Sequence, residues 1–253
     1  MSDFTTICDF KVSAISLDQT LDIFMAWLSQ ERVPARVAAF VNPHSLEVAR
    51  RDVVFSNALC NFDMLTADGI GIILASKILN GKITERVCGP DVFHCFCKRL
   101  DSKKLPVRMV FIGSSEKNLQ ILEEKFRKDF PSLVFAGSCS PPYKAKFSDE
   151  DNRIMLEHIN ACKPDVLWVG LGAPKQEKWA LEIRDKVTAK IILPVGAVFD
   201  FYTGRVKLPP KWAQDAGLTF LFRFFQQPKR LFRRNLDSPI FLARVFMQKL
   251  KKD

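Results

Sequence analysis

This 253-residue chain predicts an α/β fold in which a mostly parallel sheet carries helices on both faces, with a basic helical appendage at the C-terminal end. Three observations lead there. Short apolar runs alternate with helical patterns in the order strand, helix, strand, helix. Hydrophobic residues make up 47% of the chain, enough for a core and too many for a disordered chain. Nine of the ten net positive charges fall between Arg205 and Asp253, where twelve basic residues oppose three acids.

The elements follow in chain order. Arg36–Val41 (RVAAFV) reads as a buried strand and Pro43–Ser56 as the helix after it. Phe62–Thr66 is a second strand, followed by Ala67-Asp68-Gly69 and a helix through Leu79. Another helix starts at Pro90 or Asp91 and runs to about Leu100. Val107–Ile112 is a strand ending in Gly113-Ser114-Ser115, Glu116–Phe130 a helix, and Leu133–Ser138 a strand. Ser148 is the N-cap of a helix through Cys162, with three acids in its first turn to complement the helix dipole. Asp165–Gly170 is a strand, Lys175–Lys186 a helix and Lys190–Val195 a strand. A break near Gly204–Pro210 divides a body, 1–204, from the tail, 205–253, which reads as helical with Pro228 and Pro239 as punctuation.

Composition narrows the function. The seven cysteines form no CxxC pair, and three scattered histidines supply no Cys/His spacing, so neither a structural zinc site nor a disulfide framework is expected. The opening MSDFTTICDFK lacks a cationic stretch before an apolar run, so no secretory signal is expected. No stretch reaches the ~18 uninterrupted apolar residues of a spanning helix. The reading is a cytoplasmic protein that meets a membrane only by lying on it.

In parallel sheets ligands bind beyond the carboxyl ends of the strands, so the turns there are the candidate sites. Gly113-Ser114-Ser115 resembles a seat for a phosphate or nucleotide, though it is not GxGxxG and no Walker lysine follows; the other reading is an ordinary glycine turn with a serine N-cap. Asp68 lies at the sheet mouth, where it would serve as a general base or as a helix N-cap. Gly170–Glu177 joins a flexible turn, with Gly172, to Gln176, whose amide suits sugar hydroxyls, while Lys175 and Glu177 would pair on the helix surface. Asp149-Glu150-Asp151 matches DxD but falls in a helix first turn, where acids complement the dipole, so no metal is assigned. Among the histidines only His44 occupies a mouth turn, as a ligand contact.

The tail mixes cations with seven phenylalanines, a combination suited to an anionic membrane surface or to nucleic acid. Phe241, Leu242, Val245, Phe246 and Leu250 read as residues that insert at a bilayer interface while Arg244, Lys249, Lys251 and Lys252 meet headgroups. The other outcome is a helical pair packed on the body or on a second subunit.

Taken together, Val41–Arg50 (VNPHSLEVAR), Ala67–Gly71 (ADGIG), Glu85–Asp91 (ERVCGPD), Val169–Trp179 (VGLGAPKQEKW) and Val195–Gly204 (VGAVFDFYTG) resemble the WecG/TagA/CpsF group of bacterial glycosyltransferases, glycosyltransferase family 26. Pro209–Trp212, Gly217–Arg223 and Gln227–Arg234 continue the resemblance into the tail. The resemblance implies an inverting enzyme that takes a sugar from a UDP-sugar and passes it to a polyprenyl-diphosphate-linked sugar at the inner face of the cell membrane. It implies a catalytic aspartate at Asp68, a pocket asparagine at Asn42 and a conserved arginine at Arg86. On the substrate side it implies Gln176 and Asp200, with tail arginines at Arg223, Arg230 and Arg233 or Arg234. The chain departs from the family pattern at Phe40, at Leu208-Pro209-Pro210 and at Thr219-Phe220.

The combined expectation is a metal-independent hexosyltransferase of surface-polysaccharide biosynthesis with no bound cofactor. Its partners would be UDP-sugar, the lipid-linked acceptor and an anionic membrane, with homo-oligomers possible and no nucleic acid. The rival is a nucleic-acid-binding protein using the basic tail. A nucleotide-dependent oxidoreductase would want GxGxxG near the first strand, and the chain has no such turn.

Overall fold

A computed structural model describes residues 3–30, 34–207, 209–210 and 228–251, with side chains in the last helix from Asp237 onward. Six parallel strands form the sheet in the order β4-β3-β8-β7-β5-β6. They are β3 (Arg36–Val41), β4 (Met64–Ala67), β5 (Arg108–Gly113), β6 (Val134–Cys139), β7 (Val166–Gly170) and β8 (Ile191–Pro194). Successive side chains of a strand point to opposite faces, and the core divides accordingly. Met109, Phe111, Val166, Trp168, Ile191 and Leu193 join one cluster. Their neighbours Val110, Ile112, Leu167, Val169 and Ile192 join the cluster on the other face.

The first face is covered by α1 (Leu17–Leu28), α5 (Gly89–Ser102) and α6 (Glu116–Asp129), whose Phe24, Phe96 and Phe126 are fully buried. The second is covered by α7 (Asp149–Ala161) and α8 (Lys175–Ile183) through Met155, Ile159, Trp179 and Ile183. The expected fold is therefore the observed one. Ser148 caps α7 as expected, in a capping box with Asp151.

Three features depart from the expected elements. An antiparallel hairpin, β1 (Phe4–Ile7) and β2 (Phe10–Ser13), precedes α1, where no element had been assigned. Its two-residue turn, Cys8-Asp9, has φ of 47° and 72°, the primed geometry that fits strand twist, but without the Asn-Gly or Asp-Gly signal. The helix read over Pro43–Ser56 is two helices, α2 (Pro43–Arg51) and α3 (Val53–Asn61). Between them Asp52 adopts an extended backbone and its carboxylate caps α3 by accepting from Phe55 N, while Lys178 Nζ reaches the other oxygen at 2.5 Å. In the tail, Pro239 lies inside one continuous helix, Pro228–Leu250, rather than between two.

Two further elements matter for the site: α4 (Ile70–Ile78) and α9 (Val198–Tyr202). The tail helix, α10 (Pro228–Leu250), packs against α2 and α4. Phe241 and Val245 are fully buried there, in a cluster with Leu46, Ala49, Ile72 and Ala75. This overturns their assignment as membrane-inserting residues: a side chain fully covered by the body has no surface left for lipid. Ile240, Phe246, Met247 and Leu250 remain exposed on α10.

Candidate active site

Register brings the first pair of functional side chains together. Val41 of β3 lies opposite Ala67 of β4, so the residues that follow, Asn42 and Asp68, leave the sheet side by side. Asp68 N donates to Val41 O at 2.8 Å, which holds the turn in place. Asn42 caps α2 in a reciprocal box with Ser45, its Oδ1 accepting from Ser45 N and its backbone N donating to Ser45 Oγ. The remaining amide group, Nδ2, donates to Asp68 Oδ2 at 3.4 Å. The capping alternative for Asp68 does not hold, because the N-cap of α4 is Gly69, at φ +101°.

Arg86 and Asp91 form the neighbouring group. Arg86 Nη2 donates to Asp91 Oδ2 at 3.1 Å, and the same oxygen accepts from Cys88 Sγ at 2.9 Å. Burial drives the Cys88 thiol well above its ordinary range, and the negative charges of Asp68 and Asp91 push it further, so these groups share one electrostatic environment. The thiol stays protonated and acts as a donor. Arg86 and Asp91 line an open cleft of about 1010 Å³ whose walls include Ile70, Phe93, Val198 and Tyr202. In its lining Tyr202 Oη donates to Asp129 Oδ2 at 2.9 Å, beside Lys125. Desolvation, then the Asp129 carboxylate, raises the Tyr202 pKa, so this phenol too remains a donor.

A second group gathers where the connections after β5 and β7 leave in opposite directions, one outward to β6 and one inward to β8. Gly113 has φ +121°, and a methyl group there would overlap the Gly170 carbonyl, so the two turns touch only because the residue is glycine. Ser114 follows at φ 63°. Asn118, in the first turn of α6, is 3% exposed and joins three partners. Its Nδ2 donates to Ser114 Oγ at 2.9 Å and Asp200 Oδ1 at 3.2 Å, and its Oδ1 accepts from Thr203 Oγ1 at 2.8 Å. Asp200 also faces Arg205 Nη1 at 3.5 Å.

Gln176 is placed differently from the free sugar contact expected of it. It is 4% exposed, and its Oε1 accepts from Gly172 N at 3.0 Å and Gly196 N at 2.9 Å, tying the turns after β7 and β8 together. Its Nε2 donates to Glu177 Oε1 at 2.9 Å, so Glu177 is buried rather than paired with Lys175 on the surface. Lys175 instead donates to Lys144 O at 2.5 Å and lies over the Phe147 ring.

His44 meets the tail. Its Nδ1 is 2.6 Å from Asp237 Oδ2, and Arg51 Nη2 is 2.5 Å from Asp237 Oδ1. Arg223 lies outside the described residues. Arg230 and Arg233 lie on the backbone of α10, with side chains outside those described. Two acids of the Asp149-Glu150-Asp151 run are engaged locally: Asp151 accepts from Lys144 Nζ and Ser148 N, which bring its carboxyl down to about 2, and Glu150 pairs with Arg153. Among the described residues no group of three or more His, Cys, Asp or Glu side chains could hold a metal ion.

Sequence reasoning missed Asp91, Asn118, Thr203 and Asp237. Asp91 was quoted in a motif and Asn118 sits in the first turn after the Gly113-Ser114 mouth, so their positions carried a signal. Asp237 is 193 residues from His44 and carried none.

A family model described as glycosyl transferase, WecG/TagA/CpsF family, matches residues 5–253. The chain is 27% identical over 235 residues to an N-acetylglucosaminyldiphosphoundecaprenol N-acetyl-beta-D-mannosaminyltransferase of Bacillus spizizenii, covering 90% of this chain and 87% of that one. It is 25% identical over 242 residues to the Bacillus subtilis protein of the same name, covering 93% and 90%.

Proposed function

The chain belongs to the WecG/TagA/CpsF family of glycosyl transferases, and from that premise we propose an inverting transfer of a sugar from a UDP-sugar to a polyprenyl-diphosphate-linked saccharide, in bacterial surface-polysaccharide biosynthesis. The observation that carries the reading is the Asn42–Asp68 pair at the mouth of β3 and β4, within the same electrostatic environment as Arg86 and the cleft. Asp68 takes the proton of an acceptor hydroxyl as general base. The freed oxygen bonds to the anomeric carbon on the face opposite UDP, the bond from that carbon to the diphosphate breaks, and UDP leaves with the electron pair. Attack from the opposite face inverts the configuration.

Asn42 orients the Asp68 carboxylate through its amide hydrogen. Arg86, held by Asp91, supplies positive charge at the cleft. The Gly113-Ser114 turn, Asp200 and the Gly172 turn clipped by Gln176 make the nucleotide side. The proposal assigns neutralisation of the leaving diphosphate to arginines and helix N-termini, including Arg223, Arg230 and Arg233, with no metal. The acceptor in the name of both relatives, a diphosphoundecaprenol-linked N-acetylglucosamine, supports a lipid-linked acceptor here.

With such an acceptor, the proposal puts the enzyme at the inner face of the cell membrane. No described helix is long and apolar enough to cross a membrane, so the proposal is peripheral attachment through residues 205–253. The exposed Ile240, Phe246, Met247 and Leu250, with Lys249 and Lys251 on the same helix end, support it.

The test is a panel of UDP-sugars offered with a polyprenyl-diphosphate-linked N-acetylglucosamine, following UDP release and the anomeric configuration of the product. Retained configuration, or turnover with no UDP-sugar in the panel, would sink the reading.

A further inference from the structure

The tail helix touches the catalytic body at a polar point as well as an apolar one. Asp237 is buried, and its two carboxylate oxygens are divided between two residues of α2: Oδ2 with His44 Nδ1 and Oδ1 with Arg51 Nη2. Burial alone would raise the Asp237 pKa, but the bonds from His44 and Arg51 outweigh it and hold the carboxyl below the usual range, so it is charged at neutral pH. Two helical turns further, Arg244 reaches the buried Glu47 at 3.0 Å, again on α2. Gln248 completes the seam, donating to Thr6 O and accepting from Cys8 N. Phe241 and Val245 fill the space between.

These contacts differ in what they can specify. The apolar pair drives docking, but burial is non-directional and tolerates a small slide or roll. A carboxylate shared between an imidazole and a guanidinium fixes both position and rotation. His44 stands two residues from Asn42, and Asn42 orients Asp68. Arg233 and Arg230 precede Asp237 by four and seven residues of the same helix, one and two turns, which puts all three positions on one face of the backbone. We propose that Asp237 is a positioning residue: it sets the register of α10 on α2, and thereby the placing of the tail arginines relative to the Asn42–Asp68 pair. This rests on the transferase reading above.

The experiment compares full-length Asp237→Asn and Asp237→Glu with wild type in three measurements. Steady-state kinetics should show kcat of Asp237→Asn reduced ~10–100-fold, the scale of a roughly 1 Å misplacement, with KM for the UDP-sugar within about twofold. Asp237→Glu, which keeps the charge, should recover part of the loss. Hydrogen exchange over residues 240–250 should stay protected in Asp237→Asn, because Phe241, Val245 and the Arg244–Glu47 pair still hold the helix. A second set, Arg51→Gln alone and with Asp237→Asn, should be non-additive in kcat. Unchanged kcat in Asp237→Asn overturns the proposal. So does a fall in kcat that tracks lost protection of 240–250, which would make Asp237 merely a fastener. A wild type that turns over no UDP-sugar defeats the transferase reading instead, and the exchange measurement still reads whether Asp237 holds the helix.

Discussion

Phe241 and Phe246 stand five residues apart on α10, about 140° around the helix, and the structure gives them opposite surroundings. Phe241 is fully buried against α2 and α4, whereas Phe246 is 57% exposed. Phe241→Ala loses the transfer free energy of the ring and leaves a cavity, together about 3–5 kcal/mol. Against a typical stability of about 5–15 kcal/mol, that is a large fraction. At roughly 2–4 °C per kcal/mol for a chain of this size, the melting temperature should fall by about 6–20 °C. Phe246→Ala, with no cavity to leave, should change stability by less than about 0.5 kcal/mol. It should instead weaken sedimentation with anionic vesicles, because up to about 1.5–3 kcal/mol of apolar burial is lost at the bilayer interface. Circular-dichroism melts and vesicle co-sedimentation at low and high salt read the two effects separately. If Phe241→Ala melted with wild type while losing vesicle binding, Phe241 would face the membrane and the docking of α10 described above would be wrong. If Phe246→Ala melted early, the helix would be docked by its other face.

The other expected outcomes concern the site. Asp68→Asn should lower kcat by ~10²–10⁴, the usual cost of losing a general base, with UDP-sugar binding retained; near-normal turnover would move the base to Asp200. Gly113→Ala combines a φ of +121° with a methyl overlapping the Gly170 carbonyl, so it should cost at least ~1–3 kcal/mol and raise KM for the donor, and a variant with wild-type melting and KM would show that the two turns are not pressed together. Activity should survive EDTA, since Asp151 is already bound by Lys144 and Ser148; an enzyme silenced by chelation and restored by Mg²⁺ or Mn²⁺ would contradict this. The Asp237 pKa is depressed on folding, so its contribution to stability is present above the unfolded value of about 3.9 and is lost as pH falls through the folded value. The melting temperature of Asp237→Asn should therefore fall less steeply than wild type below about pH 4, and parallel acid limbs would deny the clamp.

Local chemistry was legible where it acts over a few residues. Ser148 is followed three residues later by Asp151, and that spacing alone closes a capping box. Strand alternation with helices requires parallel neighbours, and a parallel sheet places its turns at one edge, so Asn42, Asp68, Gly113 and Gly172 could be named before their neighbours were known. The hairpin of β1 and β2 was missed because each strand has four residues and its turn lacks glycine. Asp52 was missed as a helix break because an aspartate inside a helical pattern is ordinary, and its role depends on Lys178, which comes from another helix.

Partners, by contrast, were decided by register and packing. Asn42 meets Asp68 because Val41 lies opposite Ala67, and a slip of one residue would have separated them. Gln176 has the amide that a sugar contact needs, but two turns from separate strands converge on it and take up its oxygen. The Phe-rich tail reads alike whether its rings face lipid or protein, since burial against either satisfies the same hydrophobic drive. Sequence by itself determined the sheet, the edge where chemistry gathers and the excess charge of the last fifth of the chain. Only the tertiary structure decided which face of α10 is spent on the body, because Asp237 finds His44 and Arg51 through space, across 193 and 186 residues of chain, where no local pattern could point.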